Sequence, residues 1–104
     1  MHDILSDVSV SPEYAVNDVG SAQDFVCTAT GDSSINIMWK SSDGSDVTAS
    51  ANQEDYDSGA RISTLSFATL ALDDDDSYTC YIEFGDSEST EESVQLDVIG
   101  MHFY

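Results

Sequence analysis

Basic side chains are nearly missing from this sequence. Lys40 and Arg61 are the only two, against 21 acids, and the formal net charge is −19. A nucleic-acid surface needs clustered Lys and Arg to displace counterions from phosphates, so that function is excluded. Docking onto anionic lipid is excluded for the same reason. Histidine is confined to His2 and His102 at the two ends. The body of the chain therefore has no imidazole to activate a serine or to hold zinc. Paired carboxylates arise by chance among so many acids and nothing marks a cleft, so no enzyme is expected. Long apolar runs are also missing, and no segment reads as a bilayer span. No charged n-region with an apolar h-region opens the chain; no signal peptide is read, and Met1 reads as an expression start. Asn17, Asn36 and Asn52 all lack the hydroxyl residue of a glycosylation acceptor, which leaves the faces of the domain open to protein contact.

What is present is enough for one small folded domain. The chain has 104 residues, 40% hydrophobic and 10% aromatic, too apolar for a disordered tail. Proline occurs once, at Pro12, and six glycines fall between apolar stretches, as turns punctuate short strands. Period-two alternation dominates. Phe25, Cys27 and Ala29 mark one strand, and Ile35, Ile37 and Trp39 the next. Leu65 and Phe67 mark a third; Tyr78, Cys80, Ile82 and Phe84 a fourth; Val94, Leu96 and Val98 a fifth. Val8 and Val10 open the sheet near the N-terminus. Residues 41–60 are polar apart from Val47 and Tyr56, and read as loops with one or two edge strands. Strand after short half-buried strand predicts an all-β antiparallel sandwich.

Cys27 and Cys80 stand half the chain apart. A CxxC redox pair would sit close together, and a zinc site would need more Cys or His. Two such cysteines fit one structural disulfide in an oxidising compartment; the alternative is a pair of buried thiols in a cytosolic protein.

The spacing then becomes specific. Cys27 is followed by Trp39, then by Leu65, Phe67 and Leu70, and then by Leu72-Asp73-Asp74-Asp75-Asp76-Ser77-Tyr78-Thr79-Cys80. This order resembles the immunoglobulin superfamily from Val8 to Val98. The resemblance implies a sandwich in which Cys27 and Cys80 bridge the two sheets and Trp39 packs on the bridge. It also implies Tyr78 as the tyrosine-corner residue, Asp74 at the family's Asp position, and Leu65 and Phe67 as core. Asp76 stands where the family favours Gly or Ala, and Arg61 is too close to Leu65 to match the arginine that pairs with the corner Asp. The last strand lacks a Gly-x-Gly bulge, and the stretch between Trp39 and Leu65 is short for a variable-type domain. An I-type or short variable-like domain is expected over residues 1–104, with its core at about 8–98. Residues 99–104 form a tail, a strand extension or a junction to a following domain.

Immunoglobulin-like domains commonly bind through a sheet face. With Ile37, Trp39, Tyr78, Cys80 and Ile82 inward, Met38, Lys40, Thr79, Tyr81, Glu83 and Gln95 point outward. Met38, Lys40, Tyr81, Glu83 and Gln95 are the candidate partner-binding residues, since Tyr and Met favour interface cores; the alternative is ordinary scattered surface apolarity. The hairpin at Gly85, Asp86, Ser87 and Glu88 is too short for an antigen-grasping loop. Asp73, Asp75 and Asp76 are candidate ligands for Ca²⁺, but no EF-hand frame is present. The alternative is a solvated corner with Asp74 serving the fold and the others exposed. No cofactor is expected beyond weak, diffuse Ca²⁺ binding. The expected function is an extracellular recognition or adhesion module of a larger cell-surface or secreted protein. Its partner would be a protein, with a basic surface the complement to this charge and homophilic contact opposed by charge at low salt. The alternatives are a structural spacer and a calcium-dependent module.

Overall fold

The computed structural model describes residues 5–31, 35–47, 51–55, 60–84 and 88–100. His2, His102, Tyr56, Gly85–Ser87 and the tail beyond Gly100 lie outside the described residues. Among the described residues, eight strands form two four-stranded sheets. The first sheet has β1 (Leu5–Ser11), β3 (Gln23–Gly31), β6 (Ala60–Phe67) and β5 (Ala51–Asp55), adjacent in that order. The second has β2 (Tyr14–Asp18), β8 (Glu88–Ile99), β7 (Asp76–Phe84) and β4 (Ile35–Ser41), adjacent in that order. All pairings are antiparallel except β2 with β8, which is parallel. The fold is thus an all-β sandwich with one mixed sheet.

The alternation that predicted the strands also fills the core. Phe25, Cys27 and Ala29 on β3 face Ile37, Trp39, Cys80, Ile82 and Leu96 of the other sheet, and all are completely buried. Their polar neighbours along each strand face outward, as the two-residue period of a pleated strand requires. Each large apolar side chain removed from water in this way contributes roughly 1.5–3 kcal/mol. Phe67 lies at the margin of this core, edge-on to Phe25 with centroids 6.4 Å apart and tilted against Tyr78 at 5.3 Å.

Periodicity did not reveal β2. A cis Ser11–Pro12 peptide separates it from β1, and the chain passes there from the first sheet to the second. On β2 the pattern is inverted: Tyr14 and Val16 point to solvent while Ala15 packs toward the core. The polar middle stretch holds β5, and before it a tight turn at residues 41–45 leading to a single bridge, Lys40 to Asp46. Gly44 sits in the left-handed region with φ +87°, and its N–H donates to the Ser41 carbonyl at 3.0 Å. A side chain at that position would be strained.

Candidate protein-contact surface

The centre of the sandwich is a square of four residues. Trp39 pairs directly with Cys80 across β4 and β7, and Cys27 with Ser63 across β3 and β6. The Cys27–Cys80 disulfide joins the two sheets with its Cα atoms 6.4 Å apart. Beside it the Trp39 Nε1–H donates to Ser63 Oγ at 3.0 Å, a second tie between the sheets. Ser63 is the one buried polar residue among the described residues, and the indole explains it. A buried N–H without an acceptor is costly, so a hydroxyl here is favoured over a larger apolar side chain. The sequence pattern offered no sign of this role, since Ser63 looks like any strand serine.

The run of four aspartates caps and ties rather than gathers. The Asp74 carboxylate accepts the Ala71 N–H at 2.8 Å and closes a short 3-10 turn, Leu72–Asp74. The Tyr78 hydroxyl donates to the Asp74 carbonyl at 2.6 Å. Burial, with the nearby Asp74, Asp76 and Asp75 charges, pushes the Tyr78 phenol up to about 12. Asp75 accepts the Val98 N–H at 2.8 Å, fixing the end of β8. Asp76 accepts the Ser77 N–H at 2.8 Å, and hydrogen bonds from Ser42 hold its carboxyl below the ordinary value. Asp75 and Asp76, candidate Ca²⁺ ligands on the sequence with a solvated corner as the alternative, each accept a backbone N–H here, Asp75 while still exposed and Asp76 half-buried. Asp73 stays exposed. With the carboxylates engaged in separate directions, no cluster of acids, His or Cys able to hold a metal occurs among the described residues.

The outer face of the second sheet carries the candidate contact residues. Met38 and Tyr81 are direct cross-strand partners, and the Lys40 ammonium lies over the Tyr81 ring, 4.9 Å from its centroid. That cation–π contact is worth about 0.5–1 kcal/mol at an exposed site, and it holds one of the chain's two bases flat on the sheet. All three side chains are half-buried, while Glu83 is exposed beside them and Glu91 faces Tyr81 from β8. Gln95 is placed differently. It accepts from Ser77 Oγ at 2.6 Å and donates to Asp97 at 3.0 Å. Asp97 in turn accepts the Tyr14 hydroxyl at 2.5 Å. A polar chain Ser77–Gln95–Asp97–Tyr14 thus crosses β7, β8 and β2 and separates Gln95 from the Met38–Lys40–Tyr81 group. The Asp97 hydrogen bond raises the Tyr14 phenol above its ordinary value.

Inter-sheet bridge, a buried tryptophan paired with Cys80 and corner tyrosine occur together here, and a family model for the immunoglobulin I-set domain matches residues 6–98. The chain belongs to the immunoglobulin I-set family. Solved structures agree on the fold. Titin M4 superposes with a TM-score of 0.71 at 13% identity, covering 95% of this chain and 100% of that one. A Dscam structure concerned with isoform specificity gives 0.66 at 25% identity, covering 88% of this chain and 20% of that one. The twitchin kinase fragment of C. elegans gives 0.70 at 19% identity, covering 94% and 21%. This I-set domain therefore spans about a fifth of the Dscam and twitchin chains. The twitchin fragment holds a protein kinase as well as immunoglobulin domains, and the likeness here is to the immunoglobulin fold. No curated protein matches by sequence.

Within the I-set domain, Arg61 lies opposite Ala29 and Asp55 in the first sheet rather than at the corner. The turn at residues 41–45 is tightened by Asp43, which accepts from Ser41 Oγ at 2.7 Å and the Ser45 N–H at 2.9 Å. These bonds, the Ser41 hydroxyl first, hold the Asp43 carboxyl down to about 2.

Proposed function

We propose that this I-set domain is an extracellular recognition module, not an enzyme, and that it contacts a protein partner through the Met38–Lys40–Tyr81 end of its second sheet. The observation that carries this reading is the Lys40–Tyr81 stack beside Met38. It is an apolar and aromatic patch with a fixed cation, set on an otherwise acidic surface. Aromatic and Met side chains suit an interface core, and exposed Glu83 with Glu91 suits a polar rim. A partner with an apolar anchor and flanking Lys or Arg would fit, with fast association that weakens as salt rises. The oxidised Cys27–Cys80 pair supports an oxidising compartment. Dscam, titin and twitchin are all neighbours in fold, so the disulfide rather than the fold argues for the outside of the cell. The test is a binding screen of the domain against an array of secreted and cell-surface ectodomains, repeated with M38S/Y81T. Hits lost in the variant, with the melting curve retained, support the face. No hits, or hits the variant leaves unchanged, overturn it. Free thiols at Cys27 and Cys80 in protein recovered from its source would overturn the extracellular assignment.

A spacer role has one observation in its favour. Val19, Leu72 and Ile99 are exposed at the pole where β8 ends, and the Leu72 side chain lies against Gly100. An abutting domain would cover such a pole. Substituting these three residues by Ser would then lower the stability of a longer chain and leave binding by the sheet face unchanged.

A further inference from the structure

β8 is longer than the strand beside it. It runs Glu88–Ile99, and β2 pairs only with its last part, Gln95 to Ile99. Gln95 donates its N–H to the Glu13 carbonyl, and the Ile99 carbonyl accepts the Val19 N–H, so odd-numbered backbone groups of β8 face the β2 side. The register with β7 runs unbroken from Glu88 to Leu96. The same alternation therefore turns the N–H and C=O of Ser89, Glu91 and Ser93 away from β7. Among the described residues no strand pairs with them there.

Glu92 marks the same place from the other side. It shares the parity of the buried Val94, Leu96 and Val98 and lies opposite the buried Cys80, yet it is exposed. Its side chain is directed to the inner side of the sheet and still meets water, because among the described residues no strand closes the sheet beside it. β1 of the first sheet flanks this opening. Val10 lies opposite Cys27 as Glu92 lies opposite Cys80, and the two cysteines are bonded to each other. Val10 and Val8 are half-buried against the core. On the outward side of β8, Ser89, Glu91 and Ser93 are all exposed. The edge thus combines free backbone donors and acceptors, a carboxylate on each face and an apolar flank.

We infer that this edge, residues 89–93 of β8, takes up an extended Lys- or Arg-bearing segment of a partner protein as an added strand of the second sheet. An open edge binds through main-chain hydrogen bonds and reads alternate side chains on its two faces. Charge selects the occupant. Outward side chains of the incoming strand pass beside Glu91, and inward ones beside Glu92. A Lys or Arg at an inward position can lay its methylene stem toward Val10 and carry its charge to Glu92. A second copy pairing through the same edge would set these glutamates against their own kind, and like charges destabilise a strand pair. The stretch is short, so binding is modest and weakens as salt rises. The inference goes beyond the sheet-face reading and does not rest on it, since it uses the backbone of β8 rather than Met38 and Tyr81.

The test is amide hydrogen exchange of the 104-residue chain with a synthetic peptide of alternating Lys and Val, about nine residues long. A control peptide with Pro in place of Val carries the same charge and cannot complete a strand ladder. In the free chain the amides of Ser89, Glu91 and Ser93 should exchange fast, while those of Thr90 and Glu92, which face β7, are protected. The Lys-Val peptide should slow the first three, and the Lys-Pro peptide should not. These measurements need no variant. Ser93→Pro removes one edge N–H, keeps every charge and spares the ladder to β7, and it should abolish the slowing. E91Q/E92Q should weaken binding by roughly 2- to 30-fold, the range for two exposed ion pairs. M38S/Y81T should leave it unchanged. Protection of the three amides in the free chain would mean that the edge is already covered, and overturns the inference. So do equal effects of the two peptides, undiminished slowing in Ser93→Pro, or slowing lost only in M38S/Y81T.

Discussion

The square at Cys27, Ser63, Trp39 and Cys80 and the margin at Tyr14 and Asp97 are both places where one strand is fastened to the rest, by opposite means. At the square everything is buried, and the fastening runs between sheets through a disulfide and one hydrogen bond. At the margin Tyr14 is exposed and Asp97, Gln95 and Ser77 are half-buried, and the fastening runs along one sheet through a chain of polar groups. The difference shows what hydrophobic periodicity measures. It measures which side chains leave water, and it is silent about strands that join a sheet through their backbone and polar side chains.

The largest effect should separate the two regions at once. Replacing both Cys27 and Cys80 by Ala removes the cross-link from the unfolded chain, which on the loop-entropy account costs about 4 kcal/mol. Against a total of roughly 5–15 kcal/mol for a domain of this kind, that is a large share, and urea melts should show it directly. Ser63→Ala probes the other tie in the same square. Taking away the hydroxyl that accepts the Trp39 N–H should cost about 1–3 kcal/mol with the fold unchanged. If Ser63→Ala proves neutral, the square is held by packing and the disulfide alone.

An intermediate effect lies at the corner that links the square to the chain end. The Tyr78 phenol is raised from 10.0 to about 12, chiefly by burial and then by the neighbouring aspartates. A raised tyrosine pKa means that the folded state holds its proton more tightly than the unfolded chain does. The stabilisation is complete below pH 10 and is lost as pH rises toward about 12, because the unfolded chain ionises first. Stability measured by denaturant at stepped pH should fall through that window, and Tyr78→Phe should flatten the fall while losing the hydrogen bond to the Asp74 carbonyl. A pH profile unchanged in Tyr78→Phe would place the alkaline sensitivity elsewhere.

Much of the fold was legible because its core strands alternate cleanly. Phe25-Cys27-Ala29, Ile37-Trp39 and Cys80-Ile82 each announce an inner face, and the inner face of β4 and β7 places Met38, Lys40 and Tyr81 outside without further information. The Cys, Trp, Tyr and Cys order then named the family. Three features were not legible, each for a physical reason. β2 was hidden because its large side chains point outward. Ser63 was hidden because its value depends on a tryptophan from the other sheet. Asp75 was hidden because its carboxylate serves a backbone N–H on β8, at Val98, a contact that only the folded topology creates. The separation of Gln95 from the Met38–Tyr81 group has the same origin, since strand parity fixes the face and not the neighbours on it.

The smallest effect is the one that best sharpens the comparison. Tyr14→Phe keeps the ring on the surface of β2 and removes only the hydroxyl that donates to Asp97. An exposed polar contact of this type is weak and screened by solvent, so the global melting midpoint should shift less than in Ser63→Ala. The local consequence should be larger than the global one. Among the described residues β2 is a five-residue edge strand whose backbone ladder runs to β8 alone, so it can open without the core opening. Hydrogen exchange at Asn17 and Val19, whose N–H groups face β8, should therefore quicken in Tyr14→Phe, while amides of β3 and β7 keep wild-type protection. Equal quickening in β7 would mean that the margin and the square unfold as one unit. The polar chain from Tyr14 to Ser77 would then carry coupling across the sheet, rather than simply pinning its edge.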